Sequence, residues 1–175
     1  MKKTKKLTLS AMMVGLGVIF LILGAHVEAL DLAMGAVASI VMVFVFIELG
    51  SPYTWMVWLA TSVLALLLGT ANLLSGLWYL TLFGIWPILK AYIERLPRAI
   101  WLIPKLIYAN LAFFAVIGGW YLIFHISPFA IDRTWLKVAT LIVGNVAFIV
   151  YDLFVTAVAK VYILKYQKRF SKLLK

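Results

Sequence analysis

The stretch Leu77–Arg98, LWYLTLFGIWPILKAYIERLPR, is apolar and aromatic through Leu89 and then abruptly charged, with Lys90, Glu94, Arg95 and Arg98. A soluble domain has little use for such a segment. A helix that crosses lipid and ends on basic residues in the cytoplasm accounts for both halves. Composition agrees: 66% of the 175 residues are hydrophobic and 13% are charged. That is too little charge to clothe a soluble globule of this size. The chain reads as an integral membrane protein.

A hydrocarbon core of about 30 Å takes about 20 helical residues to cross. The apolar runs predict six spans at residues 7–25, 30–49, 53–68, 73–91, 100–124 and 135–158, followed by a basic tail at 159–175. The expected architecture is an all-α integral membrane bundle of six transmembrane helices in one domain. Gly50-Ser51-Pro52, Gly69-Thr70-Ala71-Asn72, Glu94–Arg98, and Ser127-Pro128 with Asp132-Arg133 mark the turns, and proline disfavours helix in the residue before it. Pro87 removes a donor within span four, frees the carbonyl of Phe83 and predicts a bend there. Residues 1–25 have the basic start and apolar run of a signal peptide. No convincing cleavage site follows, so the first helix is expected to remain as a span.

Charge supplies the orientation. With the N-terminus inside, six spans also place the C-terminus inside, and the Glu94–Arg98 turn falls on the same side. Of the 16 Lys and Arg residues, 14 then lie on the cytoplasmic half, counting Lys105 and Lys160 near span ends, and only Arg133 and Lys137 lie outside. His26, Glu28, Asp31, His125 and Asp132 fall outside as well. This is the positive-inside pattern of a multi-pass cell-membrane protein with N- and C-termini cytoplasmic. The net charge of +10 therefore points to anionic membrane lipid rather than to nucleic acid. The two halves share no motif, so an inverted-repeat transporter has no support.

The chain has no cysteine, which excludes disulfides and thiol chemistry. No HExxH, GxSxG or Walker A motif occurs, and His26, Glu28, His125 and Asp132 match no strong zinc spacing. No catalytic residue, metal site or cofactor is expected, and the chain reads as a non-enzyme.

Some residues nonetheless stand out. Ala11 and Gly15 share a helix face, as do Gly35 and Ser39. Such small pairs either pack within the bundle or let a partner helix approach closely. His26, Glu28, Asp31, Trp78, Tyr79, Trp120, Tyr121, His125, Asp132, Arg133 and Trp135 gather at the outer rim. They fit either an outward pocket with aromatic walls or an interfacial aromatic belt. Asn110 and Asn145 lie deep in spans five and six, as interhelical hydrogen bonds or as ligand contacts. Asp152 is an acid deep in span six and calls for a partner, with Lys105 and Glu48 as candidates.

The basic start, the Ala11-x3-Gly15 face of the first helix and six short spans resemble the substrate-binding S components of energy-coupling factor (ECF) vitamin transporters. The segments Glu48-Leu49-Gly50 and Gly84-Ile85-Trp86-Pro87-Ile88-Leu89-Lys90 with Glu94-Arg95-Leu96 also look like a widespread group of uncharacterised Gram-positive bacterial membrane proteins related to that class. The resemblance implies that Ala11 and Gly15 dock on a membrane coupling subunit, with ATPases on further chains. It implies a vitamin-like small-molecule ligand, bound from outside by His26, Glu28, Asp31, Trp78, Tyr79, Trp120, Tyr121 and His125; Asn145, from its own place within span six, is a further candidate contact. One departure is the first loop, which is short where the family often uses a longer one as a lid. The alternative function is a membrane scaffold or assembly factor that binds another membrane protein without transport.

Overall fold

The computed structural model describes residues 3–69, 72–125, 134–167 and 170, and every described element is helical. Helix α1 (Lys3–His26) leads through a 3₁₀ turn at Glu28–Leu30 into α2 (Asp31–Leu49) and then α3 (Ser51–Leu68). A broken helix follows: α4 (Leu73–Trp78), a π-helical turn at Tyr79–Phe83, and α5 (Trp86–Ile93). A 3₁₀ turn at Arg98–Ile100 precedes α6 (Leu102–Phe124), and α7 (Thr134–Val161) ends in a second π turn at Tyr162–Tyr166. Counting α4, the π turn and α5 as one, six helices among the described residues are long and apolar enough to cross a membrane. Lys2, Thr70-Ala71, Ser127-Pro128, Asp132-Arg133, and Lys168, Arg169, Lys172 and Lys175 of the tail lie outside the described residues.

Local chemistry sets the boundaries. Gly50 takes φ 86° and separates α2 from α3 in a single residue, with Pro52 in the first turn of α3. A side chain would be strained at that φ, and proline costs nothing where the N–H has no helical partner. Asn72 caps α4 by accepting from the Leu74 N–H at 2.9 Å. Hydroxyls along the helices fold back onto carbonyls four residues earlier, as in Ser10 to Lys6, Thr54 to Gly50 and Ser62 to Trp58. In hydrocarbon there is no water to do this.

Helices α1, α2 and α3 pack around the fully buried Leu21, Met42, Val45 and Val57. The broken helix is the most buried of the six spans, and its Tyr79, Trp86 and Ile88 are fully buried. Gly35 and Ser39 make this close packing feasible: a Cβ on Gly35 would sit 2.6 Å from the Phe83 ring, and Ser39 is wholly buried. Helix α6 packs along the broken helix, α7 packs against α2 and α6, and both leave most of their surface outward.

The bend expected from Pro87 at Phe83 is spread over Tyr79–Ile85. The Gly84 N–H reaches back five residues to the Tyr79 carbonyl at 2.8 Å, and a new helix starts at Trp86 with Pro87 in its first turn. Side chains from three helices accept the cost of this break. Trp58 of α3 donates to the Leu80 carbonyl at 3.1 Å, Tyr108 of α6 to that of Thr81, and Tyr151 of α7 to that of Phe83 at 3.3 Å. Broken backbone at membrane depth persists where neighbouring side chains satisfy it in this way.

Candidate functional site: a lined cavity above a buried charge cluster

Asp152 stands at the centre of the polar interior. Its Oδ1 accepts from the Trp86 indole N–H at 3.1 Å and from Lys90, and its Oδ2 accepts from Lys105 Nζ at 2.6 Å. Glu94 closes the cluster, 2.6 Å from Lys90 and 3.0 Å from Lys105. Two cations and two anions thus tie the end of α5 to α6 and α7. Each charge has an opposite partner, which is the condition for holding ions in an apolar interior. The sequence names Lys105 and Glu48 as candidate partners of Asp152. The structure pairs Asp152 with Lys105, while Glu48 instead accepts from the Tyr162 hydroxyl at 2.8 Å. Lys90, read from sequence as part of a basic cytoplasmic end, is buried here. Its spacing of four from both Trp86 and Glu94 was the available signal, since residues four apart share a helix face.

Next to this cluster lies a cavity of about 520 Å³ between α2, the broken helix, α6 and α7. Its walls are Leu82, Phe83, Phe113, Phe148 and Trp78, with small residues Ala36, Ala109 and Gly144 making the room. It runs along α7 from Thr140 to Tyr151, about 16 Å at the helical rise. Leu32, Ala33, Val143 and Ala147 line it and are also exposed, so the cavity reaches the surface between α2 and α7. The floor is backed by Trp86, which meets Phe148 edge to face at 4.7 Å and stacks on Tyr108 at 5.3 Å. The Trp86 indole thus links the charge cluster, through Asp152, to Phe148 of the cavity wall.

The cavity's polar groups are few and mostly engaged. The Asn110 amide donates to the Leu106 carbonyl at 2.8 Å and to Asn145 Oδ1 at 3.0 Å. Asn145 returns the pattern, donating to Leu141 at 2.8 Å and to Asn110 Oδ1 at 3.2 Å. Thr140 donates to the Leu136 carbonyl at 2.9 Å, and Tyr151 to Phe83.

Of the residues nominated from sequence, Trp78, Asn110 and Asn145 line this cavity. Tyr79 is buried on the other side of the broken helix, where its ring crowds Gly84. Asp31 opens α2 and accepts from Asn72 Nδ2 at 3.1 Å, bracing the start of α4. His26 is exposed at the end of α1, with Nδ1 2.8 Å from the Ile22 carbonyl. Trp120 packs on Phe124 at 4.3 Å, and Tyr121 and His125 are exposed beside each other. Glu28 contributes backbone to the 3₁₀ turn, and its side chain lies outside what is described. Helical spacing relates Leu141, Asn145 and Phe148, but α7 is apolar on every side, so sequence alone does not single out this stripe.

Ala11 and Gly15 are both exposed on α1, and a Cβ on Gly15 would meet nothing within 4 Å. The inward glycines of the same helix differ: a Cβ on Gly17 would lie 3.0 Å from Thr61 and one on Gly24 2.9 Å from Met34. Comparison with protein-family models, with curated proteins and with solved structures finds no match to this chain.

Proposed function

We propose that this chain is a small-molecule-binding membrane subunit resembling an ECF S component, which takes its ligand into the cavity between α2, the broken helix, α6 and α7 and delivers it inward with partner subunits. The cavity carries the reading. Its volume falls within the range of ligand sites, about 300–1,000 Å³, and it combines aromatic walls with a few convergent polar groups. The distribution of Lys and Arg supports a cell-membrane protein with both termini cytoplasmic. The ligand then enters at the outer half and leaves past the charge cluster.

The partner in this reading is a membrane coupling subunit with ATPases on other chains, and the chain itself is not an enzyme. The outward Ala11–Gly15 face supports that docking, since small exposed residues admit a close helix crossing. The same face also favours a second reading, a scaffold that binds another membrane protein without transport.

One experiment separates the two. The full-length protein in detergent is screened for thermal stabilisation by a panel of vitamins, and complex recovery is measured with Gly15→Leu and with the cavity-filling Gly144→Leu. Ligand-dependent stabilisation that Gly144→Leu abolishes is the expected result. Loss of complex with Gly15→Leu, together with no stabilisation by any ligand, favours the scaffold.

A further inference from the structure

The hydrogen-bond accounting at the cavity says more about its ligand than its volume does. Each asparagine amide has two N–H donors. Both donors of Asn110 and both of Asn145 are spent on one another and on the carbonyls of Leu106 and Leu141. The Thr140 and Tyr151 hydroxyls spend theirs on the carbonyls of Leu136 and Phe83. What the asparagine pair and Thr140 retain is acceptor capacity, because an amide or hydroxyl oxygen has two lone pairs. Trp78 adds a neutral indole to the wall, and among the described residues no Lys, Arg, His, Asp or Glu lines the cavity.

Such a wall discriminates by charge and by donor. A carboxylate or phosphate would leave water for an apolar site with no cation, at a cost far above that of a neutral polar group. A neutral molecule with an O–H can donate to Asn110 Oδ1, Asn145 Oδ1 or Thr140 Oγ1 while its apolar body meets Trp78, Phe83, Phe113 and Phe148. The mouth adds the route. Leu32 and Val143, 53% and 66% exposed, sit where the cavity reaches the surface between two helices that are each long and apolar enough to cross a membrane.

We infer that the ligand is a neutral lipid-soluble alcohol, drawn sideways from the bilayer between α2 and α7 and recognised through its hydroxyl by the Asn110–Asn145 pair. This rests on the reading of the cavity as the ligand site and narrows the ligand class from vitamin-like molecules in general.

The test uses full-length protein in phosphatidylcholine nanodiscs, with empty nanodiscs subtracted, and three probes of one skeleton: farnesol, farnesyl methyl ether and farnesoic acid at pH 8. Farnesol is expected to bind saturably, and the ether and the acid each about tenfold or more weaker, since the ether has no donor and the acid is ionised. The double variant Asn110→Leu with Asn145→Leu should bind farnesol and its ether alike, whereas Trp78→Phe should keep the preference. Equal or tighter binding of the ether or the acid to the unaltered protein overturns the inference, and that comparison needs no variant to fold. A preference for farnesol that survives in the double variant also overturns it. Stabilisation by a water-soluble vitamin without farnesol binding defeats this inference and leaves the small-molecule reading standing. Binding of neither defeats both.

Discussion

The hydroxyl of Tyr151 donates at 3.3 Å to the carbonyl of Phe83, the oxygen that Pro87 leaves without its helical partner. This bond links a sequence-encoded defect in one span to the wall of the cavity, because both residues line it. Tyr151→Phe keeps the ring, which meets Phe83 edge to face at 5.0 Å, and removes the donor. The expected cost is about 0.5–2 kcal/mol of stability, from a buried carbonyl left unpaired. Unfolding by sodium dodecyl sulfate in mixed micelles measures it, with Tyr121→Phe on the exposed end of α6 as the control. An effect no larger than that of the control would show that the break does not need its side-chain partners.

The charge cluster gives a prediction in which two changes do less harm than one. Asp152→Asn keeps an acceptor for the Trp86 indole but leaves Lys90 and Lys105 facing Glu94 alone. Breaking a buried ion pair from one side costs about 3–5 kcal/mol. Adding Lys105→Met removes the surplus cation and leaves Lys90 paired with Glu94 at 2.6 Å. The double variant should therefore unfold at a higher temperature than Asp152→Asn alone. A double variant less stable than both single variants would mean that the four groups do not act as one balanced set.

How far the sequence discloses this arrangement depends on what each signal measures. The six spans are legible because lipid demands a long apolar run for every crossing, and the runs beginning at Leu7, Leu30, Tyr53, Leu73, Ile100 and Trp135 supply them. The need of Asp152 for a cation is legible for the same reason. Lys90 is not, because a lysine near the end of a span looks the same whether it reaches the interface or turns inward. Trp78 and Asn145 attract notice by being polar or amphipathic in an apolar stretch. Phe113, Phe148 and Tyr151 do not, because which side of α6 or α7 faces the cavity is set by how α6 packs on the broken helix and α7 on α2 and α6.

The two small-residue pairs make the same point and can be tested. Gly35 with Ser39 and Ala11 with Gly15 have identical spacing and opposite surroundings. A Cβ on Gly35 would sit 2.6 Å from Phe83, whereas one on Gly15 meets nothing within 4 Å. Gly35→Ala should destabilise the protein by about 1–3 kcal/mol through overpacking. Gly15→Ala should be neutral, or stabilising by up to about 1 kcal/mol through helix propensity. Thermal unfolding of the two variants in the same detergent decides the matter, and equal effects would sink the assignment of inward and outward faces.

The Asn110–Asn145 pair is the remaining link to be weighed, since it joins α6 to α7 where they wall the cavity. Its two amides exchange bonds at 3.0 and 3.2 Å, and each also holds a carbonyl of its own helix. Interhelical polar contacts in membranes average about 0.6 kcal/mol and reach about 1.7. A reciprocal pair contributes two such bonds, so a double-mutant cycle with Asn110→Ala and Asn145→Ala should give a coupling energy of about 1–2 kcal/mol. Each single variant leaves the partner amide with one donor and one acceptor unmatched, so the single losses should sum to more than the loss in the double variant. Coupling near zero would mean that the helices are held by packing alone. The amides would then be free to turn their donors toward the cavity, and its preference for hydroxyl donors over acceptors would go with them.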